Sequence, residues 1–109
     1  MTESMALVPG TVDVLILRSL AWKPMHGYAV SHWIRERSRG ALAVEDAALY
    51  QALHRLARKG LVDAEWGVSD TNRRARIYEI TKEGRKHLQQ HVVALRRYVD
   101  ALFLVLKPA

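Results

Sequence analysis

The sequence predicts a mainly helical α+β chain with one small β-hairpin. Three features carry that prediction: apolar residues at helical spacing in three segments before residue 60, a strand–turn–strand pattern between Leu61 and Ile80, and a long amphipathic segment after Thr81. With 109 residues and half its positions hydrophobic, the chain makes one compact domain whose core a partner chain can extend. A formal charge of +6 favours a polyanionic partner, because neutralising phosphates releases condensed counterions. There is no cysteine, which excludes disulfides, thiolate chemistry and cysteine-based zinc sites. Met1 to Pro9 lacks the basic region and the apolar run of a signal peptide, and no stretch approaches the ~20 apolar residues of a membrane span. A cytoplasmic chain with no membrane partner is the expectation.

Thr11, after Gly10, is placed to cap a first helix that runs through Trp22, with Asp13 in its first turn and Lys23-Pro24 ending it. Its apolar residues occupy nearly every side, so the helix calls for cover on two faces, one of them from a second partner. A second helix is expected from about Gly27 to Arg37, closed by Gly40. His26 is read as structural support for the turn into it, and Ala41 to Val44 as a minor strand.

A third helix begins at Glu45 or Asp46, runs to Lys59 and stops at Gly60. Leu49, Leu53 and Leu56 fall at i, i+4, i+7 and mark its buried stripe. Its other face carries Tyr50, Gln51, His54, Arg55 and Arg58, which combine hydrogen-bonding heads with positive charge and suit a helix in a DNA major groove. Two readings stand for Tyr50: a DNA contact, or a half-buried ring sealing the helix against the hairpin.

The hairpin opens with Leu61 to Trp66, turns through polar residues, and brings Arg73, Arg74 and Arg76 to its tip. A solvated charged tip is the plainer alternative, but the basic helix before it favours phosphate contact. Trp66 is expected to pack under the hairpin. Tyr28, near the start of the second helix, is a weaker candidate for a phosphate hydrogen bond.

Thr81 opens the last helix, where Leu88, Val92, Leu95, Val99, Leu102 and Leu106 are spaced four, three, four, three, four. That is a heptad seam. A helix of about 25 residues is near 37 Å long, more than a small domain covers, so the seam is read as a dimer interface rather than as packing on its own domain. His87 and His91 stand at i, i+4, but no third ligand accompanies them and no metal is predicted. No catalytic spacing and no phosphate-binding glycine loop is present, so neither an enzyme nor a cofactor is expected.

The order helix, helix, helix, hairpin is that of a winged helix-turn-helix. Gly10-Thr11-Val12-Asp13-Val14-Leu15-Ile16-Leu17, Pro24-Met25-His26-Gly27-Tyr28, Leu49-Tyr50-Gln51-Ala52-Leu53-His54-Arg55-Leu56, Gly60-Leu61-Val62, Glu65-Trp66-Gly67, Arg73-Arg74 and Ile80-Thr81-Lys82-Glu83-Gly84-Arg85 together resemble PadR-type transcriptional regulators. The resemblance covers residues 10 to about 86. It implies a winged DNA-binding domain over 10–81, with the third helix as recognition helix and the hairpin as wing, and a C-terminal dimerisation helix over 82–107, as in the short subgroup. It further implies a homodimer on double-stranded operator DNA that represses nearby genes, with a possible small-molecule effector at the dimer interface.

Leu15 and Ser19 on the first helix, with Val92, Leu95 and Val99 on the last, are the candidates to line an effector cavity, or else plain dimer core. Two departures from the family pattern stand out. Ala48-Leu49-Tyr50-Gln51 replaces the usual Ser-Leu-Tyr-Pro, and Leu95 stands where some short members place a tryptophan for flat ligands. The rivals to a ligand-responsive repressor are a constitutive or protein-regulated DNA-binding module and an interaction protein without nucleic acid.

Overall fold

The computed structural model describes residues 4–108. Helix α1 (Val12–Trp22) is followed by a short strand β1 (Met25–His26), helices α2 (Gly27–Arg37) and α3 (Asp46–Arg58), strands β2 (Val62–Val68) and β3 (Arg74–Ile80), and helix α4 (Lys82–Leu106). The three strands form one antiparallel sheet in the order β1-β3-β2, with Met25 opposite Tyr78 and Val62 opposite Ile80.

The third strand lies elsewhere than the sequence indicated. Residues 41–44 contribute only an isolated bridge from Leu42 to Met5, whereas Met25 and His26 pair with β3. Proline disfavours helical backbone in the residue before it. Lys23 is accordingly extended (φ −166°, ψ 161°) and leads Met25 to the sheet edge.

Thr11 precedes α1 without capping it through its side chain. A capping residue needs extended backbone, and Thr11 is near-helical (φ −92°, ψ −17°); its hydroxyl donates instead to the Val8 carbonyl at 2.7 Å. His26 caps α2, its Nδ1 accepting the Ala29 N–H at 3.2 Å. The left-handed residue that closes α2 is Arg39 (φ 55°) rather than Gly40 alone. Arg39 N–H donates to Glu36 O and Gly40 N–H to Arg35 O, a Schellman pattern with arginine where glycine is usual. Helix α3 closes in the same pattern on Gly60, with Leu61 N–H donating to Leu56 O at 3.0 Å.

Apolar residues from all these elements meet in one core: Ile16, Leu17 and Leu20 of α1, Val30 and Ile34 of α2, Leu49, Leu53 and Leu56 of α3, Val62, Tyr78 and Ile80 of the sheet, and Leu88 of α4. Helix α1 runs through its middle, touching α2, α3, α4 and β3. The second cover expected for α1 from a partner is thus largely supplied by the chain itself, and Leu15 and Ala21 remain half-buried.

Thr81 caps α4, accepting the Gly84 N–H at 2.9 Å while its hydroxyl donates to the Gly60 carbonyl at 2.8 Å. One hydroxyl therefore joins the end of α3 to the start of α4. Beyond Leu88 the helix leaves the domain: Leu95 and Val99 are half-exposed, and Val92, Leu102, Phe103 and Leu106 are exposed.

Candidate nucleic-acid interface

With Leu49, Ala52, Leu53 and Leu56 of α3 turned inward, the 3.6-residue period sends Gln51, His54 and Arg58 outward at i, i+3, i+7. All three are exposed, and among the described residues no hydrogen bond or ion pair engages their side chains. Their polar heads are available to a ligand.

The flanks of α3 are fastened. On one, the Arg55 guanidinium grips Asp13 of α1, Nη2 donating to Oδ1 at 2.5 Å and Nε to Oδ2 at 3.4 Å. That hydrogen bond, with the carboxylate charge, raises the Arg55 pKa further, so this side chain spends its charge within the fold. On the other flank, Tyr50 lies against Gly27. A Cβ on Gly27 would stand 2.8 Å from the Tyr50 ring and its hydroxyl, so a side chain there would push the ring out of this position. Burial, followed by the nearby Tyr78 and Asp46, pushes the Tyr50 phenol above its ordinary pKa and leaves it a neutral donor. With about half its surface open (49% exposed), Tyr50 seals the domain and faces solvent at once.

Period-two alternation puts Val62, Ala64, Trp66 and Val68 of β2 on one face, opposite Ile80, Tyr78, Arg76 and Arg74 of β3. Near the domain this face is core; toward the tip it is Trp66 with the two arginines. Trp66 does not pack under the hairpin. It is 56% exposed, and the Arg74 and Arg76 guanidinium carbons lie 4.5 and 5.4 Å from its ring centroid. The indole quadrupole attracts both cations and limits where they can point. Arg73 sits in the turn, where Asn72 takes a left-handed conformation (φ 61°) and Ser69 N–H donates to Arg73 O at 2.8 Å.

A shallow notch bordered by Gly27, Tyr50, Trp66, Arg76 and Tyr78 joins α3 to the wing. Tyr50 of α3 and Trp66 and Arg76 of the wing thus border one notch, while Gln51, His54 and Arg58 stand exposed along the same helix as Tyr50. Tyr28 stands beside it, 72% exposed, its ring stacked between His26 and His32 at centroid distances of 6.3 and 6.5 Å.

The other predicted residues separate. Ser19 is fully buried and its hydroxyl donates to the Ile16 carbonyl at 2.8 Å, so it offers no free polar atom to an effector. Leu15 is half-buried, while Val92, Leu95 and Val99 lie along α4. His87 and His91 meet edge to face at 5.9 Å, and among the described residues no group of three or more histidines and carboxylates is placed to hold a metal. None of the described helices is long and apolar enough to cross a membrane.

Comparison with known proteins identifies the architecture. The family model of PadR-like transcriptional regulators matches residues 16–90. The chain belongs to that family. Its members are transcriptional regulators, not enzymes. A curated relative, an uncharacterised protein of Lysinibacillus sphaericus, is 33% identical over 87 residues, covering 79% of each chain. Among solved structures, a transcriptional regulator of Clostridium thermocellum superposes with a TM-score of 0.82 at 28% identity, over 90% of this chain and 95% of that one. A PadR family regulator of Clostridium difficile gives 0.77 at 26%, over 89% and 99%. Bacillus subtilis PadR, solved with operator DNA, shares the fold at a TM-score of 0.67 and 18% identity, over 76% of this chain and 47% of that one.

Within this PadR-like domain, sequence reasoning missed Asp13 as the partner of Arg55, Gly27 as the bed of Tyr50, and Trp66 as the platform for two arginines. The last was open to inference. Counting by twos along both strands puts Trp66, Arg74 and Arg76 on one face once Val62 is set opposite Ile80.

Proposed function

We propose that the chain is a DNA-binding transcriptional repressor that acts in the cytoplasm as a homodimer on a pseudo-palindromic operator. The observation that carries this reading is the exposed polar face of α3 at Gln51, His54 and Arg58, unpaired among the described residues and joined through the Tyr50 notch to a wing that bears Trp66, Arg74 and Arg76. Helix α3 enters the major groove, where Gln51, His54 and Arg58 approach base edges, each good bidentate contact giving about 1–3 kcal/mol of discrimination. Tyr50 and Tyr28 donate to phosphates. The wing arginines hold the backbone and supply affinity with little sequence preference. The uncovered seam of α4 pairs two protomers so that their α3 helices reach successive major grooves, ~34 Å apart.

A fluorescence-anisotropy titration with the DNA upstream of the chain's own gene, repeated at several salt concentrations, tests this. Replacing Arg73 and Arg74 by alanine flattens the slope of log affinity against log salt by about 0.9 for each phosphate that is no longer neutralised. An unchanged slope would take the wing out of the interface, and no salt-dependent binding by the wild type would sink the DNA reading.

Release by a small molecule at the seam is the regulatory half of the proposal, with Leu15, Val92, Leu95 and Val99 as its lining. A second reading, a constitutive or protein-regulated module, gains weight from Ser19, whose hydroxyl is satisfied inside α1. Titrating candidate ligands against the operator complex separates the two.

A further inference from the structure

On the reverse side of the wing from its arginines lies a cleft of about 430 Å³, bounded by the end of α1, the outer side of α2 and the hairpin. Alternation along β3 turns Ile77 into it while Arg74 and Arg76 face the other way. No residue of α4 lines the cleft.

Trp22, Trp33, Pro24 and Ile77 give it apolar walls, and Lys23, His26 and His32 also border it. Two carboxylates border it, Glu36 from α2 and Asp70 from the wing turn. On a chain of net charge +6 these are unusual company for one apolar cleft. Among the described residues Asp70 has no ion-pair partner, and Glu36 meets only the His32 imidazole at 4.0 Å. Both indoles already carry a cation: the Lys23 ammonium lies 4.8 Å from the Trp22 centroid and the Arg37 guanidinium 5.6 Å from that of Trp33. Aromatic faces beside carboxylates that no lysine or arginine pairs are the chemistry that holds a hydrophobic organic cation.

We propose that this cleft binds a small molecule with a flat apolar ring system and one cationic amine. The ring lies between the indoles and Ile77, and the amine meets Glu36 and Asp70, displacing the Lys23 ammonium from Trp22. Because Asp70 and Ile77 belong to the wing, the bound molecule braces the hairpin against α2. Binding itself is independent of the DNA reading, since the arginine face stays open.

Titration of the full chain with naphthylmethylamine, followed by amide and indole NMR signals, tests the site. Neutral naphthalenemethanol and anionic naphthoate serve as charge controls. Saturable shifts centred on Trp22, Trp33, Ile77 and Asp70 are expected, with the amine tightest and naphthoate weakest. Glu36→Gln weakens the amine by roughly two- to fivefold, the size of an exposed ion pair, and leaves the alcohol unchanged. Lys23→Met tightens the amine by removing its competitor. Both residues are exposed, so neither variant disturbs the core. Absence of saturation, shifts centred on α4, equal affinity for the three probes, or an amine affinity indifferent to Glu36→Gln would each overturn the proposal.

Discussion

Trp66 does for Arg74 and Arg76 what a salt bridge does for Arg55, holding a guanidinium in place, but it leaves the charge uncompensated. Leucine at this position keeps an apolar side chain and removes the ring quadrupole. Trp66→Leu is therefore expected to weaken operator binding by about two- to fivefold, because an exposed cation–π attraction of ~0.5–1 kcal/mol disappears. The salt slope should stay the same, because the charges remain. Arg74→Gln should instead flatten the slope; anisotropy titrations of the two variants separate positioning from charge. Tyr50 offers a test of a different kind. Its folded pKa is raised, so the neutral phenol is the form the fold favours. That stability is fully present below the unfolded value of 10.0 and is lost as pH rises through the higher folded value. Wild type should lose melting temperature with rising alkalinity faster than Tyr50→Phe, and parallel curves would contradict the assignment.

At the scale of elements, two backbone positions control how helices end and begin. Arg39 holds a left-handed conformation that costs a residue with a Cβ about 1–2 kcal/mol, so Arg39→Gly is expected to stabilise the chain by up to about 1 kcal/mol after the added freedom of the unfolded chain is subtracted. Gly84 has no such latitude in the other direction. A Cβ there would collide with the Leu61 backbone carbonyl and the Ile80 side chain, and Gly84→Ala should destabilise by about 2 kcal/mol or more, visible as a lower melting temperature. These helices were legible in the sequence because periodicity, proline and glycine mark them locally: Leu49, Leu53 and Leu56 placed α3, Gly60 its end, and Pro24 the end of α1. What was not legible depends on contacts remote in sequence. Asp13 and Arg55 stand 42 residues apart, and nothing in either local pattern joins them. Met25–His26 is too short to show a strand period, and Thr11 has the composition of a cap without the backbone angle.

For the whole molecule, the feature to test is the half of α4 that its own chain leaves bare. Leu95→Asp with Val99→Asp puts two charges on the seam and is expected to give a monomer in analytical ultracentrifugation while the core, which ends at Leu88, stays folded. A melting temperature that rises with protein concentration in the wild type, and not in this variant, would report the same linkage. The Asp13–Arg55 pair acquires its meaning at this scale. Helix α1 grips α3 through that pair and meets α4 at the other end, where Arg85 reaches the Ala21 carbonyl at 3.5 Å. With Tyr50 packed on Gly27, α3 is held on its other flank as well. In the proposed dimer, α1 is the beam that ties the seam to α3: a rotation imposed at the seam is expected to carry α3 with it, so that operators are sorted by their half-site spacing.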